Sequence, residues 1–310
     1  MRKSCFRLWA LFAVPMLSSI FVSCDFFNKG KGGEADSAQA FTFCTVEFED
    51  SISYMDAHAY QTIRVDFPSE EDSSLLVQQI FNWLCDEVRN RCIPSYESLD
   101  IDSFVQASPE GTEHFAEDYV RFYGRQGLDH MQKDLRAMAE EGYSGSFLNH
   151  LSIELLENTD SYVTMSSGHE VYLGGAHGGY NSEGISFRKS DGRPFGWDCF
   201  DMSKRAELVE LLKKGLMGYF NEGVEEKIYT DSALFDNLIL YDDPDTPENE
   251  LEYGLPLPQA RPWLTRDGIS FIYQQYEIAA YAWGLPNLCL PVEALKNCLT
   301  PEGRHFVGID

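Results

Sequence analysis

The sequence predicts an α+β protein made of two mixed domains with antiparallel sheets, and three observations predict it. Stretches of alternating apolar and polar residues mark several strands, among them Phe41–Tyr54, Tyr60–Phe67 and Phe147–Leu156. Two long stretches carry apolar residues at helical spacing instead. These strands and helices follow one another without regular βαβ alternation, which argues against a doubly wound parallel sheet. The expected organisation is 1–23 as a lipoprotein signal peptide, 24–40 as a flexible tether, 41–164 as an N-terminal α+β domain and 165–310 as a C-terminal α+β domain.

Arg2, Lys3 and Arg7 form a basic start, Leu8–Leu17 is an apolar run too short to span a bilayer, and Phe21-Val22-Ser23-Cys24 has the form of a lipobox. Cleavage before Cys24 leaves a lipidated cysteine; the competing reading is an ordinary secretory signal cut nearby. Asp25–Ala40, rich in Gly, Lys, Asn, Ser and Ala, has little to bury and reads as the tether. The expected product is an exported chain, lipid-anchored on the periplasmic face or at the cell surface, touching the membrane through its anchor alone.

In the first domain Ile63, Val65 and Phe67 share one face of a strand. Pro68–Ser73 supplies hydroxyls and carboxylates for a helix start, and Leu76, Ile80, Trp83, Leu84 and Val88 continue the helix to about Arg89–Cys92. A second helix is expected over Thr112–Glu141, with Phe115, Tyr119, Phe122, Met131, Leu135 and Met138 as its stripe and a break near Gly124–Gly127. Phe147–Leu156 and Ser161–Leu173 follow as strands. After them come the glycine-dense corner Gly174–Gly179, a strand through Ile185 and Phe187, and a turn at Ser190–Pro194 in which Gly192 is free to take positive φ. Farther on, Ser203 caps a helix carrying Leu208, Leu212, Leu216 and Phe220, and a shorter helix is expected over Ile228–Leu240. Tyr241–Glu250 is a loop. Ile269–Tyr273, Leu285–Val292 and a short helix Val292–Cys298 close the chain.

Two stretches carry a resemblance. Tyr172-Leu173-Gly174-Gly175-Ala176-His177-Gly178 resembles the Y-x-G-G-A-H corner of the PdaC/RsiV-like family, followed as there by a strand, the turn Asp191–Pro194, and Asp198 and Phe200. The stretch from Leu264 to Tyr273, with Tyr276–Gly284 after it, resembles that family's F-x-P-Y-E-I-A-P-Y-A-x-G motif, with Gln275 and Ala280 standing where prolines are usual. The likeness spans roughly residues 165–300, with a weaker match over 41–164. It implies an extracytoplasmic domain that in one member captures lysozyme and in another accompanies a separate peptidoglycan deacetylase domain. The 310 residues carry no deacetylase signature, and the expectation is a noncatalytic binding module with no cofactor.

Net charge is −26, and loss of the signal would remove three basic residues and no acidic one. Such a surface repels nucleic acid and favours a cationic partner, with a lysozyme-like basic protein as first candidate and a cell-wall glycan as the alternative. A glycan-modifying enzyme ranks third. The ligand-binding candidates are Gly174, Gly175 and His177 at the corner, and Tyr276, Tyr281 and Trp283 in the aromatic stretch. A lone histidine more commonly holds a turn in shape than acts as a ligand, and core packing competes for all three aromatics, most strongly for Tyr281 and evenly for Tyr276 and Trp283. Asp242, Asp243, Asp245, Glu248 and Glu250 crowd one loop but miss the EF-hand spacing, so no metal site is expected. Once Cys5 leaves with the signal and Cys24 is lipidated, Cys44, Cys85, Cys92, Cys199, Cys289 and Cys298 remain. Three disulfides and six buried thiols are both open.

Overall fold

The computed structural model describes residues 42–69, 74–93, 114–239 and 254–309. Cys24 with its signal and tether, and the acidic loop Asp242–Glu250, lie outside the described residues.

Five strands form one sheet in chain order: β1 (Phe43–Tyr54), β2 (Ala57–Pro68), β3 (Ser146–Asn158), β4 (Tyr162–Tyr172) and β5 (Gly179–Arg188). Alternation builds it, since Ala59, Ile63, Val65 and Phe67 of β2 and Phe147, Leu151 and Ile153 of β3 are buried on one face. Two helices cover that face: α1 (Leu75–Arg91) and α2 (Phe115–Glu140). The side chain of Ser74, one residue beyond the expected capping run, accepts from Val77 N to start α1.

The sheet is mixed rather than purely antiparallel. β2 and β3 pair in parallel, with Ile63 opposite Leu151, because α1 and α2 lie between them in sequence and return the chain to the same end of the sheet. The other pairs of this sheet are antiparallel. The expected domain limit at 164/165 falls inside β4, which is bonded to β3 on one side and β5 on the other, so one sheet runs unbroken from Phe43 to Arg188.

No break interrupts α2. Gly124 and Gly127 are helical and buried, and a Cβ on either would collide with the Phe48 ring or the Cys92 carbonyl. Close packing, not a turn, is what these glycines serve.

A second body follows β5. It contains α3 (Arg205–Phe220), α4 (Asp231–Phe235), an antiparallel three-stranded sheet of β6 (Trp263–Thr265), β7 (Gly268–Ile272) and β8 (Asn287–Leu290), then α5 (Val292–Leu295) and α6 (Pro301–Phe306). Its core includes Leu208, Leu212, Leu216, Phe220, Phe271 and Leu288. Asp201, rather than Ser203, caps the 3-10 turn that leads into α3, and among the described residues of the expected Ile228–Leu240 helix only Asp231–Phe235 is helical. β6 and α6 were not expected, although Thr300-Pro301 is a strong start signal and the Thr300 hydroxyl accepts from Gly303 N.

The two bodies join where β6 lies on the lower end of β4 and β5. The Thr164 hydroxyl donates to Leu264 O at 2.9 Å, Leu264 N donates to the Ser186 hydroxyl at 2.8 Å, and the Trp263 ring fills the space that a side chain at Gly184 would need. The six cysteines after residue 40 stand as free thiols, and burial pushes Cys85 up to about 12. Among the described residues no helix is long and apolar enough to cross a membrane.

Candidate functional site

At the upper end of β4 and β5, beyond the C-terminus of α1, lies a groove of about 560 Å³. Its lining brings together Arg91 from α1, His169 from β4, His177 from the glycine corner, Asn181 from β5 and Gln274–Tyr276 from the loop after β7. Residues almost two hundred positions apart in sequence therefore share one wall.

The rim is aromatic. Gly174 and Gly175 adopt φ of +88° and +98°, which turns the chain after β4 and lets Tyr172 Oη donate to Gly175 O at 3.0 Å. His177 emerges from this corner exposed, and its Nδ1 lies 2.9 Å from Gly178 O. A carbonyl only accepts, so Nδ1 carries the proton and Nε2 accepts from Tyr276 Oη at 3.2 Å. The imidazole also stacks on Tyr281 with centroids 4.1 Å apart. Tyr276 is 53% exposed and has φ of +64°, a conformation that non-glycine residues adopt uncommonly. The cost of this conformation sits in the backbone where the loop meets the groove.

Glutamine side chains hold the rim loop to the sheet. Gln275 Oε1 accepts from Tyr180 N at 2.8 Å, and Gln274 exchanges two bonds with the backbone of Ser182. These amides satisfy the outer edge of β5 as a neighbouring strand would, a role open to a side chain at 275 that proline lacks. Ala280 has φ of −61° and ψ of 151°, the geometry a proline there would impose, so the loop keeps its shape with alanine. Glu277 braces the turn, accepting from Gln259 N at 2.8 Å and Gln274 N at 2.6 Å.

The floor is a buried polar network. Gln61 and Asn149, both fully buried, reach the end of α1: Asn149 Nδ2 donates to Cys92 O at 2.8 Å and to Arg91 O at 3.2 Å, and Gln61 Nε2 donates to Cys92 O at 3.2 Å. They satisfy the last carbonyls of the helix, which otherwise have no partner. Asn149 Oδ1 then faces His169 Nε2 at 2.7 Å, so that nitrogen is the donor. Burial above all, then the Arg91 charge and the neighbouring His150, push His169 down to about 4, and it is neutral at pH 7. Arg91 donates through Nε to Glu87 at 2.6 Å, through one Nη to Asn181 Oδ1 at 2.9 Å and through the other to Glu183. Burial raises the Glu87 carboxyl above its ordinary range, with Arg91 opposing and Glu183 adding to the rise.

Of the residues singled out in the sequence, His177, Tyr276 and Tyr281 converge here, and Gly174 and Gly175 shape the corner. Trp283 does not belong to it. Its ring packs edge-on against Phe220 at 4.8 Å and its carbonyl accepts from Tyr219, so it serves the second core. Arg91, His169, Asn181, Gln274 and Gln275 were not predicted. Among the described residues no cluster of three or more His, Cys, Asp or Glu is placed to hold a metal.

Comparison with known proteins adds a family match over part of the chain. Residues 210–293 match DUF3298, a protein family of unknown function. The DUF3298 stretch includes the Tyr276–Tyr281 loop but not the glycine corner. A solved structure of a DUF3298 family member from Bacteroides fragilis aligns with a TM-score of 0.63 at 18% identity, covering 86% of this chain and 96% of that one, which shows a shared fold. A DUF3298 family protein from Pseudomonas aeruginosa aligns with a TM-score of 0.49 at 13% identity, covering 84% of this chain and 96% of that one. No curated protein matches the chain.

Proposed function

We propose that this is a PdaC/RsiV-like lipoprotein of the bacterial envelope that binds an extracytoplasmic ligand at the groove without turning it over, and that the ligand is a glycan segment. The observation that carries the reading is the ring group at the mouth of the groove, the exposed His177 and Tyr276 with the half-buried Tyr281 stacked on His177, above a lining that mixes the polar Arg91, Asn181, Gln274 and Gln275 with the apolar Ile93, Val171 and Leu173. Rings that stack on a sugar face, beside polar groups that orient its hydroxyls, are the usual composition of such a site. The carboxylates behind the groove are engaged by Arg91, which favours binding over acid–base work.

A lysozyme-like basic protein is the second reading, and the net charge of −26 favours it by accelerating capture of a cation. Titration of the purified protein with soluble peptidoglycan fragments and with a lysozyme, at low and moderate salt, separates the two. The glycan reading expects saturable binding that changes little with salt and is lost in Tyr276→Ala. Lysozyme binding that weakens as salt rises, with no response to glycan, would replace it.

A further inference from the structure

The hydrogen-bonding polarity of the groove is one-sided. Arg91 has no acceptor, so Asn181 must turn Oδ1 toward it, and the Asn181 amide N–H groups have no partner among the described residues. Tyr180 N has only a proton to offer, so Gln275 must turn Oε1 to it, and its amide N–H groups likewise have no partner among the described residues. Gln274 donates one Nε2 hydrogen to Ser182 O and keeps the other. Arg91 uses three of its five N–H groups on Glu87, Asn181 and Glu183. The oxygens of these three amides are engaged, while most of their N–H groups are not.

The charge is just as specific. Two carboxylates, Glu87 and Glu183, flank the single guanidinium, and His169 is neutral at pH 7. The donors therefore sit in a field that does not attract an anion, and a ligand carboxylate would meet two of its own kind.

We infer that the groove selects a neutral, carbonyl-bearing sugar, an N-acetylated amino sugar rather than a plain or an acidic one, with the acetamido oxygen taken by the Asn181 and Gln275 amides beside the Tyr276 ring. This rests on the glycan reading above and names its ligand class. An acetamido carbonyl supplies the planar acceptor that the spare donors need, while the Tyr276 hydroxyl, already donating to His177, is left to accept from a sugar hydroxyl. A site built of donors rejects an analogue that lacks the matching acceptor, because its groups then lose water without replacement.

The test is calorimetric titration of the intact protein with three trisaccharides: tri-N-acetylchitotriose, cellotriose and trigalacturonic acid. The acetylated sugar is expected to bind at least tenfold more tightly than the other two. Gln275→Glu and Asn181→Asp retain the oxygens that hold Tyr180 and Arg91 but remove the N–H donors, and each is expected to bring the acetylated sugar down toward cellotriose while the thermal transition stays cooperative. Equal affinity of the wild type for acetylated and plain sugars would overturn the inference and leave the glycan reading standing, as would tightest binding of the acidic one. Silence with all three would overturn both.

Discussion

The groove has a floor and a rim that use the same residue types to opposite ends. Each region centres on a histidine. His169 is half-buried, bonded to Asn149 and held neutral, within a network that ties the end of α1 to β3 and β4. His177 is exposed, and it bonds a carbonyl of its own turn and a tyrosine from the second body. A histidine whose partners are all buried protein groups fixes structure, whereas one stacked among exposed rings presents a surface. The expectation that the corner histidine holds a turn therefore describes one of its two bonds, while His169 is the histidine bonded into the floor.

If the floor is structural, damage there should cost stability first. Arg91→Ala leaves Glu87 and Glu183 without their shared cation, and it is expected to destabilise the protein by about 3–5 kcal/mol, read as the shift in urea midpoint times the slope. A loss below about 1 kcal/mol would mean that the cluster is solvated rather than buried.

Acid should attack the same place. The unfolded chain protonates His169 near 6.5 but the folded chain only near 4, so in that window the unfolded state binds more protons and stability falls as pH drops. The contribution is about 3 kcal/mol across the window. Glu87 acts in the opposite sense, since its raised folded value means the folded state takes up a proton more readily below the raised value. In His169→Gln the slope of melting temperature between pH 6.5 and 4 should flatten; an unchanged slope would remove His169 from the account.

Substitutions at the rim should spare the fold. Tyr276→Gly relieves the positive φ and is expected to raise stability by about 0.5–1 kcal/mol while abolishing ligand binding, a separation that a core tyrosine could not give. His177→Ala should leave stability within about 0.5 kcal/mol of the wild type and weaken binding. A large drop in melting temperature for His177→Ala would move His177 to the structural side of the comparison.

Much of the rim was legible because its residues form local patterns. The run Tyr172–Gly178 displays its glycines and its histidine side by side, and Tyr276–Tyr281 displays its rings at a short spacing. The floor was not legible, since its parts come from β2, α1, β3, β4 and β5 and meet only through the parallel β2–β3 pairing. One trace of it exists. Gln61 continues the face of Ile63, Val65 and Phe67, and Asn149 that of Leu151 and Ile153, so an amide stands twice where alternation calls for an apolar residue. Trp283, open to both readings in the sequence, packs on the core. Tyr276 lines the groove and Tyr281 stacks on His177, but the 3-10 turn Tyr281–Trp283 carries the Trp283 ring onto Phe220.

The measurement that bears most directly on the rim as the binding surface is backbone amide NMR of the isotopically labelled protein during titration with soluble peptidoglycan fragments. Saturable shifts concentrated at His177–Asn181 and Gln274–Tyr276, with the buried Gln61 and Asn149 backbone unmoved, are the result predicted here. Shifts centred away from the groove, or none at saturating glycan, would contradict it.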